Sequence, residues 1–405
     1  MLAKAAAGLL LLVAAPGLVF AQDTRAAQLE RERAEKAKRL APYEPSKLEK
    51  FVMRAEEGRL RRLISPHNGF FLEYGYEYQP TGSGIGLGGG WRHDLFDRNA
   101  RLILEAGASF RRYQMVRADF SLPRLARERL ELGVEASYRY QPQDDFYGLG
   151  LESSEDDRVN YLFEGREVGA RAIFRPRRWL QLGTRLGQIN PSVDRGRDEK
   201  FPSIEALFSD ATAPGLNAQP DYLYGTGFAE VDTRDSRGNA RAGGHYVVAW
   251  TKHHDLDLDR YSFRVFDAHA RHFFPIFDKK RVFAFQTMLV STTPEGGHEV
   301  PFYFQPTLGG SHTLRSVRDY RYRDRSVFGF NVEYRWEAFG LLDMALFTDF
   351  GTVAPRVADL DIGDLKRAYG IGFRFNTSDA VFYRIDIATG ADEGFRYYFK
   401  FSNAF

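Results

Sequence analysis

The stretch RSVFGFNVEYRWE (325–337) alternates between two kinds of side chain along its whole length. Every second position is large and apolar: Phe328, Phe330, Val332, Tyr334 and Trp336. The positions between them are small, polar or charged: Gly329, Asn331, Glu333, Arg335 and Glu337. Because successive side chains of a β-strand point to opposite faces, this pattern predicts a strand with one aromatic face and one charged face.

The same two-residue period recurs along most of the chain after Asn68. It is clear in 70–78, 130–140 and 369–375, where aromatic or aliphatic residues again oppose charged residues or glycine. We count about 16 such segments, of which 83–94 and 258–273 are two examples. An apolar face on every strand implies a sheet that is in contact with an apolar medium or a core along its whole extent.

The connections between these segments decide between a membrane barrel and a soluble sheet. Short turns such as 175–178 and 339–340 alternate with connections that range from tight to very long, notably 190–223 and 293–324. This layout predicts an all-β fold, a 16-stranded antiparallel transmembrane β-barrel over 65–405 with both ends in the periplasm. The alternative is a soluble β-sandwich or propeller, which would bury the apolar faces and use small aliphatic residues beside the aromatic ones.

The composition excludes several classes of function. Lys and Arg total 56 and Asp and Glu total 54, so the balance of charge gives no indication of a nucleic-acid partner. The chain contains no cysteine, which excludes a disulfide framework, a thiolate metal site and a cysteine nucleophile. The absence of thiols also suits an oxidising compartment.

The first residues predict export. Lys4 precedes an apolar run over 5–19, and Val19-Phe20-Ala21 is similar to a cleavage site, so we expect a signal peptide at 1–21. A membrane anchor is the alternative, but the run is short for a spanning helix. Residues 22–64 are charged and rich in helix formers, which predicts a short helical or partly disordered periplasmic extension. Together with the barrel, these features predict a protein of the bacterial outer membrane that is surrounded by its lipids.

Three motifs contain residue types that can carry chemistry. The glycines of TGSGIGLGGG (81–90) recur at period two, and no Gly-Lys-Ser/Thr follows, so we interpret them as a smooth lumen face of the second strand instead of a phosphate loop. They are Gly82, Gly84, Gly86 and Gly88. We expect the sixth loop or the N-terminal extension to pack against them.

The other two motifs are rich in potential metal ligands. His253 and His254 are adjacent, so on a strand they point to opposite faces, and we interpret 251–260 as a solvated loop. The acidic stretch at 152–158 is interpreted as a surface loop, with weak calcium binding as the alternative. No hydrolase or metalloprotease motif is present, so we expect no enzyme activity, catalytic residue, cofactor or metal.

The stretch LGGSHTLRSVRDYRYRDRSVFGFNVEYRWEAFGLLDMALFTDFGTVAP (308–355) resembles the BamA/TamA/FhaC family, also called the bacterial surface antigen family. In that family a Val/Leu-Arg-Gly-aromatic tip of the sixth extracellular loop folds into the lumen. The resemblance implies that Arg315, in loop 6 at 293–324, pairs with Asp349 of FTDFG and Glu333 of GFNVEYR. Ser316 replaces the glycine of the tip and Val317 replaces its aromatic residue.

The resemblance extends to YGIGFRF (369–375), YRIDIA (383–388) and the last segment. It implies that the alternating C-terminal aromatics are an insertion signal, which the barrel assembly machinery recognises as a partner: Tyr397, Phe399, Phe401 and Phe405. No pattern before the barrel matches a polypeptide-transport-associated (POTRA) domain, so the chain resembles a short branch of the family. The resemblance implies a barrel that aids protein or lipid insertion into the outer membrane. A transport pore and a structural surface antigen are the alternatives.

Overall fold

The computed structural model describes residues 68–74, 83–377, 380–391 and 393–401. The signal peptide predicted at 1–21, the extension predicted at 22–64, Gly82 and Phe405 lie outside these ranges, and the statements made about them stay predictions.

Sixteen strands form one antiparallel sheet in which each strand pairs with the next along the chain, and two further short strands pair with each other. The sheet strands are β1 (Gly69–Tyr74), β2 (Gly86–Leu95), β3 (Ala100–Ser109), β4 (Gln114–Arg124), β5 (Leu130–Phe146), β6 (Val159–Arg177), β7 (Leu180–Arg195), β8 (Tyr222–Asp232), β9 (Gly243–Asp255), β10 (Phe263–Ile276), β11 (Arg281–Pro294), β14 (Ser326–Phe339), β15 (Leu342–Ala354), β16 (Lys366–Asn376), β17 (Val381–Gly390) and β18 (Phe395–Lys400). The short pair is β12 (Thr307–Leu308) and β13 (Tyr322–Arg323). The prediction of 16 antiparallel strands is confirmed.

Within the part of the chain that the structure describes, helical structure is limited to four short segments in connections. One is a turn at Leu125–Glu128, in which Ala126 and Arg127 have left-handed backbone angles. Three are 3₁₀ turns, at Ile204–Ala206, Phe302–Phe304 and Val357–Asp359. Among the described residues, no helix has the length and apolar character needed to cross a membrane.

The two faces of the sheet differ as the alternation predicts. In β14 the inner positions, such as Glu333 and Arg335, are buried, whereas the aromatic positions between them are partly exposed. Large apolar side chains are exposed on the outer face of many strands, for example Phe70, Leu72, Val168, Leu186, Trp250, Leu346 and Tyr397. The inner face therefore carries the buried charge, and the outer face is suited to contact with lipid.

The strands are of very unequal length. β5, β6 and β7 contain 17, 19 and 16 residues, whereas six residues are described in each of β1 and β18. The ends of the long strands pack against loops through a buried apolar cluster that includes Phe146, Tyr161, Ile204 and Phe302. β7 continues to Arg195, although the sequence predicted a loop from residue 190, because the added residues pair with β6 without a regular apolar period.

Two predicted strand starts are wrong. β10 begins at Phe263 and not at residue 258, because the carboxylate of Asp255 accepts hydrogen bonds from the backbone N–H groups of residues 257, 258, 260 and 261 and holds that segment in a turn. β2 begins at Gly86, so Gly84 lies before the strand. Gly84 has φ +84°, a backbone conformation that glycine adopts readily.

Candidate functional site

The connection between β11 and β14, residues 295–325, is called loop 6 because it is the sixth connection on the side that carries the long loops. The β12–β13 pair closes its base, and Gly309 and Gly310, both with positive φ, follow at once. A Cβ atom at Gly309 would collide with the carbonyl oxygen of Arg318. These glycines therefore allow the tip of the loop to turn back onto the inner face of the sheet.

Arg315, at the tip of loop 6, lies between two carboxylates of the sheet. Its Nε and Nη2 donate to the two oxygens of Asp349 at 2.8 and 2.6 Å, and its Nη1 donates to Glu333. The guanidinium also stacks on the ring of Phe347, with 3.4 Å between Cζ and the ring centroid. Burial opposes the charge of Arg315, but Asp349 and Glu333 outweigh it and hold the pKa of the guanidinium above its usual value.

Arg315 belongs to a larger buried network of charges. Glu333 also accepts from Arg335 at 2.7 Å and from Arg374 at 3.1 Å. Asp386 accepts from Arg374 at 2.6 Å and from Arg384 at 2.8 Å. The network contains four arginines and three carboxylates, all less than 5% exposed: Arg315, Arg335, Arg374, Arg384, Glu333, Asp349 and Asp386. It joins loop 6 to β14, β15, β16 and β17.

The main chain of the tip is held by the sheet as well. Five consecutive or nearly consecutive carbonyl groups of loop 6 accept hydrogen bonds from side chains of four strands. The donor and acceptor residues are Arg384 and Ser311, Gln286 and His312, Asn331 and Thr313, Arg396 and Ser316, and Tyr398 and Val317. The last two donors belong to β18, so loop 6 contacts the final strand of the sheet directly.

The two positions where the tip departs from the family motif fit their surroundings. Ser316 is fully buried and is not among the residues with positive φ, so its backbone does not need a glycine. Val317 is also fully buried and packs in an apolar cluster with Leu314, Val327 and Val353. A valine thus occupies the apolar space at this point of the tip.

Glycines on β16 make room for the network. A Cβ at Gly370 would collide with the ring of Phe347, on which Arg315 stacks. A Cβ at Gly372 would collide with the Arg374–Asp386 pair. The glycines of YGIGFRF therefore permit close approach of the charged and aromatic side chains beside them.

The structure brings together Arg315, Glu333 and Asp349, the three residues assigned to the loop contact. Five further residues of this contact were not predicted from the sequence: Arg335, Phe347, Arg374, Arg384 and Asp386. A signal was present, because the parity that places Glu333 inside also places Arg335, Arg374, Arg384 and Asp386 on the inner face of their strands.

The structure describes part of the predicted row of lumen glycines, and the expectation that loop 6 or the N-terminal extension packs against it stays a prediction. Gly86 and Gly88 lie on β2 with the inward parity, and Leu87 between them is exposed. The ring of Phe71, from β1, packs against Gly90 on the same face. At Gly90, therefore, the neighbouring side chain on the inner face comes from β1.

The possible metal ligands are engaged in other contacts. His253 and His254 lie on β9, not in a solvated loop, and His253 stacks on the ring of Phe263. The stretch 152–158 contacts loop 6, since Ser153 accepts hydrogen bonds from Arg321.

One further group combines Glu230, Asp232 and His245, which offer ligand atoms within 4.8 Å of one another. Both carboxylate oxygens of Asp232 accept from Arg234, so this group is better described as an ion-pair cluster.

The two ends of the sheet lie at β1 and β18. Between residues 69–74 and 395–399 the structure describes no hydrogen-bonded ladder, whereas β17 and β18 pair from Arg384–Lys400 to Thr389–Phe395. The outer side chains of β18 and of the residue after it are more than half exposed: Phe395, Tyr397, Phe399 and Phe401. The region between β1 and β18 is called the seam.

Comparisons with known proteins agree on the fold. The Omp85 superfamily domain matches residues 94–405. The solved structure of BamA from Haemophilus ducreyi lacking POTRA domains 1-3 is similar with a TM-score of 0.61 and 15% identity, over 82% of this chain and 69% of that chain. CdiB from Escherichia coli is similar with a TM-score of 0.53 and 11% identity, over 82% of this chain and 61% of that chain. A comparison with curated proteins gives no match.

Proposed function

Because the chain belongs to the Omp85 superfamily, we propose that it assists the insertion of β-rich client proteins into the outer membrane through the seam between β1 and β18. The chain is an outer-membrane β-barrel of the insertase and secretion type. The class of client, the route through the seam and a role without enzyme activity are the proposal.

One observation carries the proposal: the sheet is weakest at the seam. No hydrogen-bonded ladder joins the described residues of β1 and β18, and loop 6 is bonded to β18 through Arg396 and Tyr398. The edge of a strand offers a row of backbone donors and acceptors to an incoming strand. A client segment could therefore pair with an edge at the seam by β-augmentation, with main-chain hydrogen bonds supplying affinity and no sequence requirement.

The alternative of a passive transport pore is not favoured. Loop 6 contacts inner-face residues from β11 to β18, including Gln286, Asn331 and Arg384. A loop held by a buried charge network and five main-chain hydrogen bonds obstructs that side of the lumen. A steady aqueous path would require it to leave.

The test is to close the seam covalently. The chain has no native cysteine, so Leu72→Cys on β1 and Tyr397→Cys on β18 can be joined by a cleavable bifunctional maleimide. Both positions are exposed on the outer face. In liposomes containing the purified protein, we expect the joined form to lose acceleration of the folding of a small outer-membrane barrel, measured by its heat-dependent gel migration. Cleavage of the linker should restore it.

The matched control joins two strands far from the seam. Phe120 on β4 and Val134 on β5 are direct partners with exposed side chains. Joining Phe120→Cys to Val134→Cys should leave client folding unchanged. The proposal is wrong if the seam linkage leaves client folding as fast as the control linkage does.

A further inference from the structure

The connection between β8 and β9, residues 233–242, is called the strap; it is the longest connection on the short-turn side, which is the periplasmic side of such a barrel. It is folded compactly, since Asp235 Oδ1 accepts hydrogen bonds from the backbone N–H groups of Arg241 and Ala242. Gly243 follows with φ +89°, and a Cβ there would collide with the carbonyl of Thr233. The strap therefore leaves β8 and enters β9 through a turn that requires glycine.

The strap extends beyond β8 and β9, the two strands that it connects. Arg241 donates to the carbonyl oxygen of Lys279, in the turn between β10 and β11, at 2.8 Å. Its Nη2 also donates to both carboxylate oxygens of Asp343, at the start of β15, at 2.7 and 3.0 Å. Asp343 is only 3% exposed, so the Arg241 guanidinium covers a buried carboxylate on the inner face.

The far end of the strap reaches β17. The backbone N–H of Val381 donates to the carbonyl oxygen of Gly238 at 3.1 Å, and Gly238 and Ala380 form a parallel β-bridge. Five strands separate β9 from β17 in the sheet: β10, β11, β14, β15 and β16. A segment that joins these two points crosses the periplasmic entrance instead of following its rim.

An apolar contact completes the attachment. Ala240 is 4% exposed and packs with Phe273, Val282 and Ala284, which are buried on the inner face of β10 and β11. Without the strap, these side chains would face the lumenal water at the entrance. Their burial gives the closed position of the strap a favourable contribution beyond its polar contacts.

We propose that the strap is a periplasmic gate, a latch across the inner entrance of the lumen that is held by the Arg241–Asp343 pair, the Ala240 contact and the Gly238–Ala380 bridge. Gly243 is the hinge at one end. The strap also ties down the β16–β17 turn, and β17 pairs with β18, so release of the strap frees the hairpin next to the seam. This inference does not depend on the client proposed above, because the latch is a property of the empty barrel.

The first test measures access to a residue under the strap. Val282→Cys changes the side-chain volume little and gives the chain its one thiol. We expect slow labelling by a membrane-impermeant maleimide added from the periplasmic side of proteoliposomes. Arg241→Ala in the same background should speed labelling roughly tenfold, the factor expected when an equilibrium shifts by the loss of one partly buried contact. The matched control is Arg237→Ala, since Arg237 lies in the same strap with its side chain 72% exposed.

The second test cross-links the strap to the residue that precedes β17. Gly238→Cys combined with Ala380→Cys places two thiols at a β-bridge, and we expect a disulfide on mild oxidation of intact outer membranes. Heat-dependent gel migration of every variant reports that the barrel is folded. A failure of the two folded cysteines to join would contradict the position of the strap. Rapid labelling at Val282→Cys with an unaltered strap, or equal labelling with Arg241→Ala and Arg237→Ala, would overturn the gate.

Discussion

At the scale of single residues, the two carboxylates that hold Arg315 are not equivalent. Glu333 accepts hydrogen bonds from three arginines, Arg315, Arg335 and Arg374. Among the contacts of the described residues, Asp349 accepts side-chain hydrogen bonds from Arg315 alone. Glu333 is therefore part of the barrel wall as much as of the loop contact, whereas Asp349 serves the loop.

This difference predicts two different mutant phenotypes. Asp349→Ala should release the tip of loop 6 and expose 308–324 to an external protease, with little change in the temperature at which the barrel unfolds. Glu333→Ala should release the tip of loop 6 and also lower the unfolding temperature of the barrel. It leaves buried arginines without a counter-charge, a loss of about 3–5 kcal/mol for a fully buried pair. Protease sensitivity and heat-dependent gel migration separate the two effects. Equal loss of barrel stability in both variants would contradict the assignment.

The direct pairing of Arg315 with Asp349 can be tested by exchanging the charges. Arg315→Ala should free the loop, and Arg315→Lys should restore it only in part, because an ammonium group lacks the planar fork that contacts both Asp349 oxygens. Arg315→Asp combined with Asp349→Arg should recover some of the protection from protease that each single change removes. Purely additive damage in the double variant would mean that these two side chains do not meet.

At the scale of elements, loop 6 is held largely through its own main chain. Its carbonyl groups accept hydrogen bonds from side chains of β11, β14, β17 and β18. Every residue type contributes the same backbone carbonyl group, whatever its side chain. The tip therefore tolerates a changed motif. The position of the loop depends instead on the two glycines at its base and on the strand residues that face it.

This view predicts opposite outcomes for two small changes in the loop. Ser316→Gly should alter the protection of the loop by no more than the cost of added backbone freedom, about 0.5–1 kcal/mol. Gly309→Ala should expose the tip strongly, because φ there is +135° and a Cβ collides with the Arg318 carbonyl. The measurement is the rate of external proteolysis within 308–324. A severe effect of Ser316→Gly would show that the tip depends on the serine side chain.

At the scale of the whole molecule, stability is distributed unevenly around the sheet. β5 and β6 pair over most of their 17 and 19 residues, and a buried apolar cluster covers their ends. β1 and β18 lie at the two ends of the strand order, and their described residues pair with one neighbouring strand only. Regions with few paired residues open with a small free energy, and an insertion route needs a region that opens without unfolding the rest.

Amide hydrogen exchange should follow this distribution. In the purified protein we expect backbone amides of β1 and β18 to exchange faster than those of β5 and β6, by roughly tenfold for each 1.4 kcal/mol of lower opening free energy. Release of loop 6 by Asp349→Ala should speed exchange in β18 further, because Arg396 and Tyr398 lose their acceptors. Exchange that is uniform across the sheet would rule out the seam as the weak point.

The sequence by itself determined the strand faces, their number and the inward position of Glu333 and Asp349. Each of these follows from the two-residue period, which is a relation between neighbours along one strand. The family resemblance added the pairing of Arg315 with those carboxylates. Where the period is interrupted, as in the turn that Asp255 closes or beyond residue 190 on β7, strand ends could not be predicted.

Only the tertiary structure decided which distant groups meet. Arg384 donates to Ser311, 73 residues away, and Gly238 bonds to Val381 across five intervening strands. Likewise, only the structure shows how Ser316 and Val317, which differ from the family motif, fit the loop. Ser316 does not adopt a left-handed backbone conformation, and Val317 fills an apolar space. Periodicity reports which face a side chain lies on, but curvature of the sheet sets what lies opposite it, and that depends on every strand at once.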